Sequence, residues 1–119
     1  MRSRAFWLSE AEAYLAECRV RCSSVRASEL ANRVRRTPAQ LAHEFHLIVG
    51  SRLKDYLFAR QIESAKELLR TTHRTTADIA LQTGFGTPRS FYRAFRRSVG
   101  MTPTHYRKEM SLAVPDLRQ

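Results

Sequence analysis

Residues 37–50 read TPAQLAHEFHLIVG, and residues 87–100 repeat the pattern fifty positions later as TPRSFYRAFRRSVG. Threonine caps helix N-termini, and proline suits the first helical position because its missing N–H has no partner there. The apolar residues of each copy recur every four positions and so share one helical face. A glycine follows, as is common where a helix ends in a left-handed cap. Each copy therefore predicts a complete short helix, and the repetition indicates one task performed twice.

The repeat extends to the N-terminal side of both copies. Leu30-Ala31 precedes the first and Ile79-Ala80 precedes the second, each beginning a helix that a tight turn separates from the Thr-Pro helix. This order predicts a helix-turn-helix unit, present twice. Between the units, residues 51–71 carry apolar stripes on two sides, which favours a rigid connecting helix. About 20 residues at 1.5 Å each give about 30 Å, close to the roughly 34 Å of one DNA turn.

The remaining segments complete an all-α fold. We predict a first helix over 9–21, and its apolar stripe comprises Trp7, Ala11, Tyr14, Leu15, Cys18 and Cys22. Thr102-Pro103 opens a last helix to about Glu109. The fold class is all-α, with about seven helices forming two helix-turn-helix subdomains joined by a long connecting helix. The expected divisions are 1–50 with recognition helix 37–49, the connecting helix 51–71, 72–110 with recognition helix 87–99, and a tail 111–119 without pattern, which favours disorder.

The charge balance points to a polyanion. The net charge is +10 and Lys54, Lys66 and Lys108 are the three lysines among 21 cations, so 18 are arginine. No acidic residue lies between Ile79 and Lys108, although this stretch contains Arg89, Arg93, Arg96, Arg97 and Arg107. A solvated protein face normally mixes both signs, and arginine forms forked contacts with phosphate and guanine. Nucleic acid is therefore the first candidate partner.

Other classes find less support. No apolar run is long enough to cross a bilayer and no signal peptide precedes the helices, so we expect a cytoplasmic protein without a membrane partner. Cys18 and Cys22 continue an apolar stripe, which favours buried thiols in a reducing compartment; a redox or metal role is the smaller alternative. The four histidines lack metal-ligand spacing. We predict no metal site, no cofactor and no catalytic residues.

Specific motifs resemble the DNA-binding domain of the AraC/XylS family of bacterial transcription regulators. The resemblance covers about residues 24–108. In the second half it rests on Asp78-Ile79-Ala80, Gly84-Phe85, Ser90-Phe91, Phe95-Arg96, Gly100, Thr102-Pro103 and Tyr106-Arg107. In the first half and the connecting helix it rests on Leu30-Ala31, Thr37-Pro38, Leu41, Phe45, Gly50, Tyr56-Leu57, Ile62, Ala65-Lys66 and Leu68-Leu69. It implies a seven-helix domain whose third and sixth helices enter adjacent major grooves.

The resemblance also implies contact residues. The expected base contacts are Ala39, Gln40, Ala42, His43, Arg89, Ser90, Tyr92 and Arg93. The expected phosphate contacts are Arg36, Thr37, His46, Thr87, Arg96 and Arg97. Arg89 and Arg93 lie one turn apart, and each can donate two hydrogen bonds to guanine. Ala39 and Ala42 offer only apolar contact. Our hypothesis is that the second unit discriminates between sequences and the first mainly positions the protein.

One departure from the family pattern concerns the turn of the first unit. Arg35 and Arg36 occupy it, where the second unit has Gly84 and Phe85. An arginine in a left-handed turn costs on the order of 1 kcal/mol relative to glycine. The departure bears on the strength of the first unit and leaves the predicted fold unchanged.

These patterns predict a sequence-specific, double-stranded DNA-binding transcription regulator, an activator that contacts RNA polymerase in the bacterial nucleoid. Since the two units follow each other in one chain and are not related as in a symmetric dimer, the DNA site need not be palindromic. One alternative is the DNA-binding part of a larger ligand-responsive regulator, although no small-molecule effector site is visible and the initial Met1 favours a complete small protein. Another is a nucleic-acid architectural protein without sequence preference. A third is an enzyme, since some family relatives carry DNA-repair alkyl transfer on a reactive cysteine.

Overall fold

The computed structural model describes residues 2–113, which form seven α-helices and no strand. This confirms the all-α fold class and the expected number of helices. The helices are α1 (Arg4–Arg21), α2 (Ala27–Arg33), α3 (Pro38–Val49), α4 (Leu53–Thr71), α5 (Thr76–Gln82), α6 (Pro88–Val99) and α7 (Pro103–Ala113). Helices α2 and α3 form the first helix-turn-helix unit, α5 and α6 form the second, and α4 connects them.

Both recognition helices begin and end as their sequences dictate. The hydroxyl of Thr37 accepts a hydrogen bond from the Gln40 N–H at 3.1 Å, and the Gln40 side chain accepts one from the Thr37 N–H at 2.9 Å. Thr87 caps α6 in the same way through the Ser90 N–H, at 3.1 Å. Gly50 and Gly100 end the helices with φ of 91° and 89°. Local interactions alone therefore fix the length of α3 and α6.

The buried side chains form two separate clusters. The first unit packs beneath α1, around Trp7, Leu41 and Phe45, and the second packs around Phe91 and Phe95. Helix α4 serves both clusters. Its first half contributes Leu53 and Leu57 to one, and its second half contributes Ile62, Ala65 and Leu69 to the other. The two clusters therefore divide α4 along its length.

The structure corrects three expectations at helix ends. Helix α1 begins at Arg4, five residues before the expected Ser9, because the Ser3 hydroxyl caps it through the Phe6 N–H at 3.1 Å. Cys22 was expected on the buried stripe but is exposed, because the chain turns there with φ of 53° and ends the helix; Cys18 is buried. Helix α7 continues to Ala113, so residues 111–113 are not a tail; residues 114–119 lie outside the described range.

The turn of the first unit contains an arginine in the left-handed region, as its sequence suggests. Arg35 has φ of 59° and is exposed. We expect Arg35→Gly to raise the free energy of unfolding by about 1 kcal/mol, because glycine adopts this conformation without steric cost. Urea denaturation measures the change. Ala59→Gly, on the exposed side of α4, is the control and should lower stability by about 1 kcal/mol. A fall in stability for Arg35→Gly as well would contradict the prediction.

Candidate nucleic-acid interface

The eight side chains expected to contact bases share one property: all are exposed. They lie on the outer faces of α3 and α6 and comprise Ala39, Gln40, Ala42, His43, Arg89, Ser90, Tyr92 and Arg93. The opposite faces bury Leu41 and Phe45 in the first unit and Phe91 and Phe95 in the second. Each recognition helix is therefore anchored by one side and presents the other to solvent. Tyr92 is 45% exposed and belongs to this outer face of α6.

The residues expected to contact phosphate divide into two groups. Thr37, His46, Thr87, Arg96 and Arg97 are exposed on or at the start of the recognition helices. Arg36 is half-buried instead, and its Nε donates to the Glu44 carboxylate at 3.0 Å. Because this carboxylate neutralises the guanidinium, Arg36 offers less attraction to a phosphate than a free arginine does.

Positive charge is concentrated on α6. Its twelve residues include Arg89, Arg93, Arg96 and Arg97, with no acidic residue among them. None of the ion pairs found within residues 2–113 involves a side chain of α6. Helix α3 differs, since it has no lysine or arginine and its Glu44 is paired with Arg36. Of the two recognition helices, α6 is the one that attracts a polyanion strongly.

Contacts within the protein restrict what two polar side chains can recognise. The Gln40 amide oxygen accepts the N-cap hydrogen bond, which uses one of its two lone pairs and fixes the direction of the amide. A glutamine that recognises adenine with two hydrogen bonds needs both its donor and its acceptor. Ser90 is partly engaged as well, because its hydroxyl accepts from the Thr87 hydroxyl at 3.0 Å. Arg89 and Arg93 remain the side chains best able to form paired hydrogen bonds with a base.

Two arginines near α6 have different surroundings. The Arg97 guanidinium lies 5.9 Å from the ring centre of Phe58 on α4, which limits its orientations. Arg107 belongs to the same acid-free stretch, but it is directed inward. It donates to the carbonyls of Leu69 at 3.1 Å and Thr72 at 3.2 Å. Arg107 therefore caps the C-terminus of α4 and contributes structure where its sequence context suggested charge for a partner.

Sequence reasoning missed two cations beside the first unit. Arg52 and Lys54 flank the start of α4 and line a cleft of about 390 Å³ together with His43 and His46 of α3. Both are exposed. Their sequence signal was present, since they follow Gly50 and precede the first acidic residue of α4, Asp55. Arg52 and Lys54 therefore place positive charge next to α3, which has no lysine or arginine of its own.

Two observations on the described residues concern membranes and metals. No helix within them is long and apolar enough to cross a bilayer. No group of three or more histidine, cysteine, aspartate or glutamate side chains there is placed to hold a metal ion. Both cysteines are free thiols.

The fold and its two outward-facing helices define a double helix-turn-helix domain, and comparison with known proteins gives the family. The model of the helix-turn-helix domain family matches residues 30–109. An HTH-type transcriptional regulator of Mycobacterium tuberculosis is 37% identical over 83 residues, which cover 70% of this chain and 32% of that protein. The chain thus spans about a third of the length of this curated relative.

Solved structures agree with this assignment. The C-terminal domain of the two-component response regulator YesN from Fusobacterium nucleatum superposes with a TM-score of 0.75 at 27% identity, covering 87% of this chain and 95% of that one. The DNA-binding domain of the transcriptional factor AdpA, solved with a target DNA, has a TM-score of 0.79 at 22% identity, covering 98% and 99%. The chain belongs to the AraC/XylS family of helix-turn-helix transcription regulators. Family and fold are those of DNA-binding transcription regulators.

Proposed function

We propose that this chain binds double-stranded DNA sequence-specifically and regulates transcription by inserting α3 and α6 into adjacent major grooves. The observation that carries the proposal is the outer face of α6, where Arg89, Arg93, Arg96 and Arg97 are exposed without an acidic residue on the helix. An α-helix fits the major groove, where each of the four base pairs presents a distinct pattern of donors and acceptors and where arginine pairs with guanine. The expected base and phosphate contacts named above are part of this proposal.

The two units have unequal roles in the proposal. Arg89 and Arg93 recognise bases, while Arg96 and Arg97 hold phosphates further along the same helix. In the first unit, Gln40, His43 and the methyl groups of Ala39 and Ala42 face base edges. Its phosphate contacts come from Arg36, Thr37 and His46. The N-terminal N–H groups of both helices add further phosphate donors. The first unit therefore supplies position, and the second supplies most of the discrimination.

The wider biological role follows the family. We propose that the protein activates transcription in the bacterial nucleoid and contacts RNA polymerase while bound to its site. The divisions 1–50, 51–71 and 72–110 correspond in this proposal to the first reading unit, the connector and the second unit. The alternative that the chain is the DNA-binding part of a larger regulator is favoured by one observation: it matches about a third of its curated relative.

Selection from a random duplex pool at near-physiological salt tests the proposed function. We expect enrichment of two short blocks about one DNA turn apart, over roughly 20 bp. Binding that enriches no sequence would support the architectural alternative instead. The logarithm of its association constant should then fall linearly with the logarithm of the salt concentration. An absence of binding to any duplex would overturn the DNA proposal.

The unequal roles lead to a prediction for single substitutions. Arg89→Ala is expected to reduce discrimination at one position of the second block by about 1–3 kcal/mol, because a paired hydrogen bond to guanine is lost. His43→Ala is expected to change discrimination in the first block by less. Binding of both variants to a panel of single-base site variants measures the two effects. A larger loss of specificity from His43→Ala would reverse the assignment.

A further inference from the structure

The two units touch at two places besides α4: helix α1 packs against α5, and a loop of the first unit meets the turn of the second. The loop between α1 and α2 (residues 22–26) lies against the turn of the second unit (residues 83–86). The Val25 N–H donates to the Gly84 carbonyl at 3.0 Å, a backbone hydrogen bond between segments about 60 residues apart. We call this the loop–turn contact. It joins the first unit's supporting helix directly to the turn that positions α6.

Comparing the two turns shows why glycine stands at position 84. Arg35 and Gly84 occupy equivalent places, with φ of 59° and 81°, and their N–H groups bond back to Asn32 and Leu81. Since Arg35 adopts this conformation, a left-handed backbone alone does not require glycine. A Cβ atom on Gly84 would lie 2.5 Å from Cγ2 of Val25. The approach of the loop is therefore the added requirement in the second turn.

The second turn also contains one more residue than the first. Thr37 follows Arg36 directly, whereas Gly86 separates Phe85 from Thr87. A Cβ atom on Gly86 would lie 2.9 Å from the Ser24 hydroxyl oxygen. Both features that distinguish the second turn from the first, the glycine and the additional residue, thus occur where the loop rests on it.

Both sides of the contact are held in place by other elements. On the turn side, the Gln61 side-chain amide of α4 donates to the Thr83 carbonyl at 3.0 Å. On the loop side, the Tyr14 hydroxyl accepts from the Arg26 N–H at 2.8 Å and donates to Glu29. Burial, together with the hydrogen bond to Glu29, raises the pKa of Tyr14 above its ordinary value, so this hydroxyl keeps its proton as a donor. The contact therefore joins two braced segments.

We propose that the loop–turn contact sets the distance and rotation between α3 and α6, which makes Val25, Gly84 and Gly86 determinants of the spacing between the two DNA blocks. A single connecting helix can bend or twist, but the α1–α5 packing and the loop–turn contact hold the units in one arrangement, and only the latter reaches the turn that precedes α6. One base pair changes the separation of two blocks by about 3.4 Å and their rotation by about 35°. A fixed arrangement of the recognition helices therefore tolerates one spacing. The inference rests on the proposed function.

The variant Gly84→Asn tests the proposal, because asparagine tolerates the left-handed conformation while its side chain displaces the loop. The control is Gly100→Asn, where φ is 89° and a Cβ atom would meet nothing within 4 Å. The wild type and both variants are titrated with duplexes that carry the two blocks at the selected spacing, or with one base pair added or removed between the blocks. We expect the wild type and Gly100→Asn to lose about tenfold or more in affinity at the altered spacings.

Gly84→Asn is expected to bind the selected spacing more weakly than the wild type does. Its affinity should then fall by less than about threefold at the altered spacings. Wild-type discrimination in Gly84→Asn would overturn the proposal. If that variant fails to fold by circular dichroism, Val25→Gly loosens the same contact without adding atoms, and the same comparison decides. Equal wild-type binding at every spacing would also refute it, while leaving the proposed function intact. Wild-type recognition of one block or none would count against the proposed function itself.

Discussion

Replacing Arg89 and Arg93 together with alanine is expected to lower affinity for the selected site by about 2–6 kcal/mol, since each guanidinium can form a paired hydrogen bond worth about 1–3 kcal/mol. Both side chains are exposed, one turn apart, on a helix without acidic residues. Beyond the general weakening that follows from removing two positive charges, the loss should fall on sequence preference in the second block. Titration of the selected duplex and of duplexes with that block randomised measures it.

A control of equal charge separates recognition from general attraction. Arg19→Ala with Arg21→Ala removes two cations from the last turn of α1, outside both recognition helices. This pair should weaken binding to all duplexes slightly and leave the preference for the selected sequence unchanged. Equal losses from the two double variants, with sequence preference intact in both, would show that the α6 arginines act only through their charge.

Replacing Phe95 with alanine is expected to lower the free energy of unfolding by about 3–5 kcal/mol. Phe95 is fully buried, and its ring centre lies 5.6 Å from that of Phe91 and 5.4 Å from that of Tyr106. Alanine leaves a cavity at the centre of the second cluster. Domains of this size have a total stability of about 5–15 kcal/mol, so the substitution would remove a large fraction of it. Urea denaturation followed by circular dichroism measures the loss.

Tyr92→Ala is the matched control, since Tyr92 is an aromatic residue on the same helix but is 45% exposed. Surface substitutions usually change stability by less than about 0.5 kcal/mol. A loss for Phe95→Ala no larger than that for Tyr92→Ala would contradict the packing described for the second cluster.

The recognition helices were predictable because their causes are local. The expected ranges 37–49 and 87–99 differ from α3 and α6 by one residue at each start. Threonine, proline and glycine act within a few residues of their own position, so a linear pattern contains the information. The N-terminus of α1 follows the same rule, and Ser3 was the signal that the sequence reasoning overlooked.

The remaining features depend on residues that are far apart in sequence. The partner of Arg107 is the end of α4, more than thirty residues earlier. Gly84 is required because Val25 lies against it, and the apolar periodicity of the sequence does not show that these two residues are neighbours. For the same reason, the sequence predicted the type of residue on the interface without showing that Gln40 is partly occupied by its own helix cap.

Helix α4 has a consequence for any attempt to divide the protein. Because its first half packs into one cluster and its second half into the other, the boundary between the units lies inside a continuous helix and not in a linker. A fragment that ends at the midpoint of α4 would keep the half that packs into its own cluster but would shorten the helix to about ten residues, a length at which helices are marginal in water. A fragment carrying either reading unit alone would therefore have to keep the whole of α4, with the unused apolar half exposed. Polar replacements for Leu53 and Leu57, or for Ile62 and Leu69, would be needed to keep such a fragment soluble.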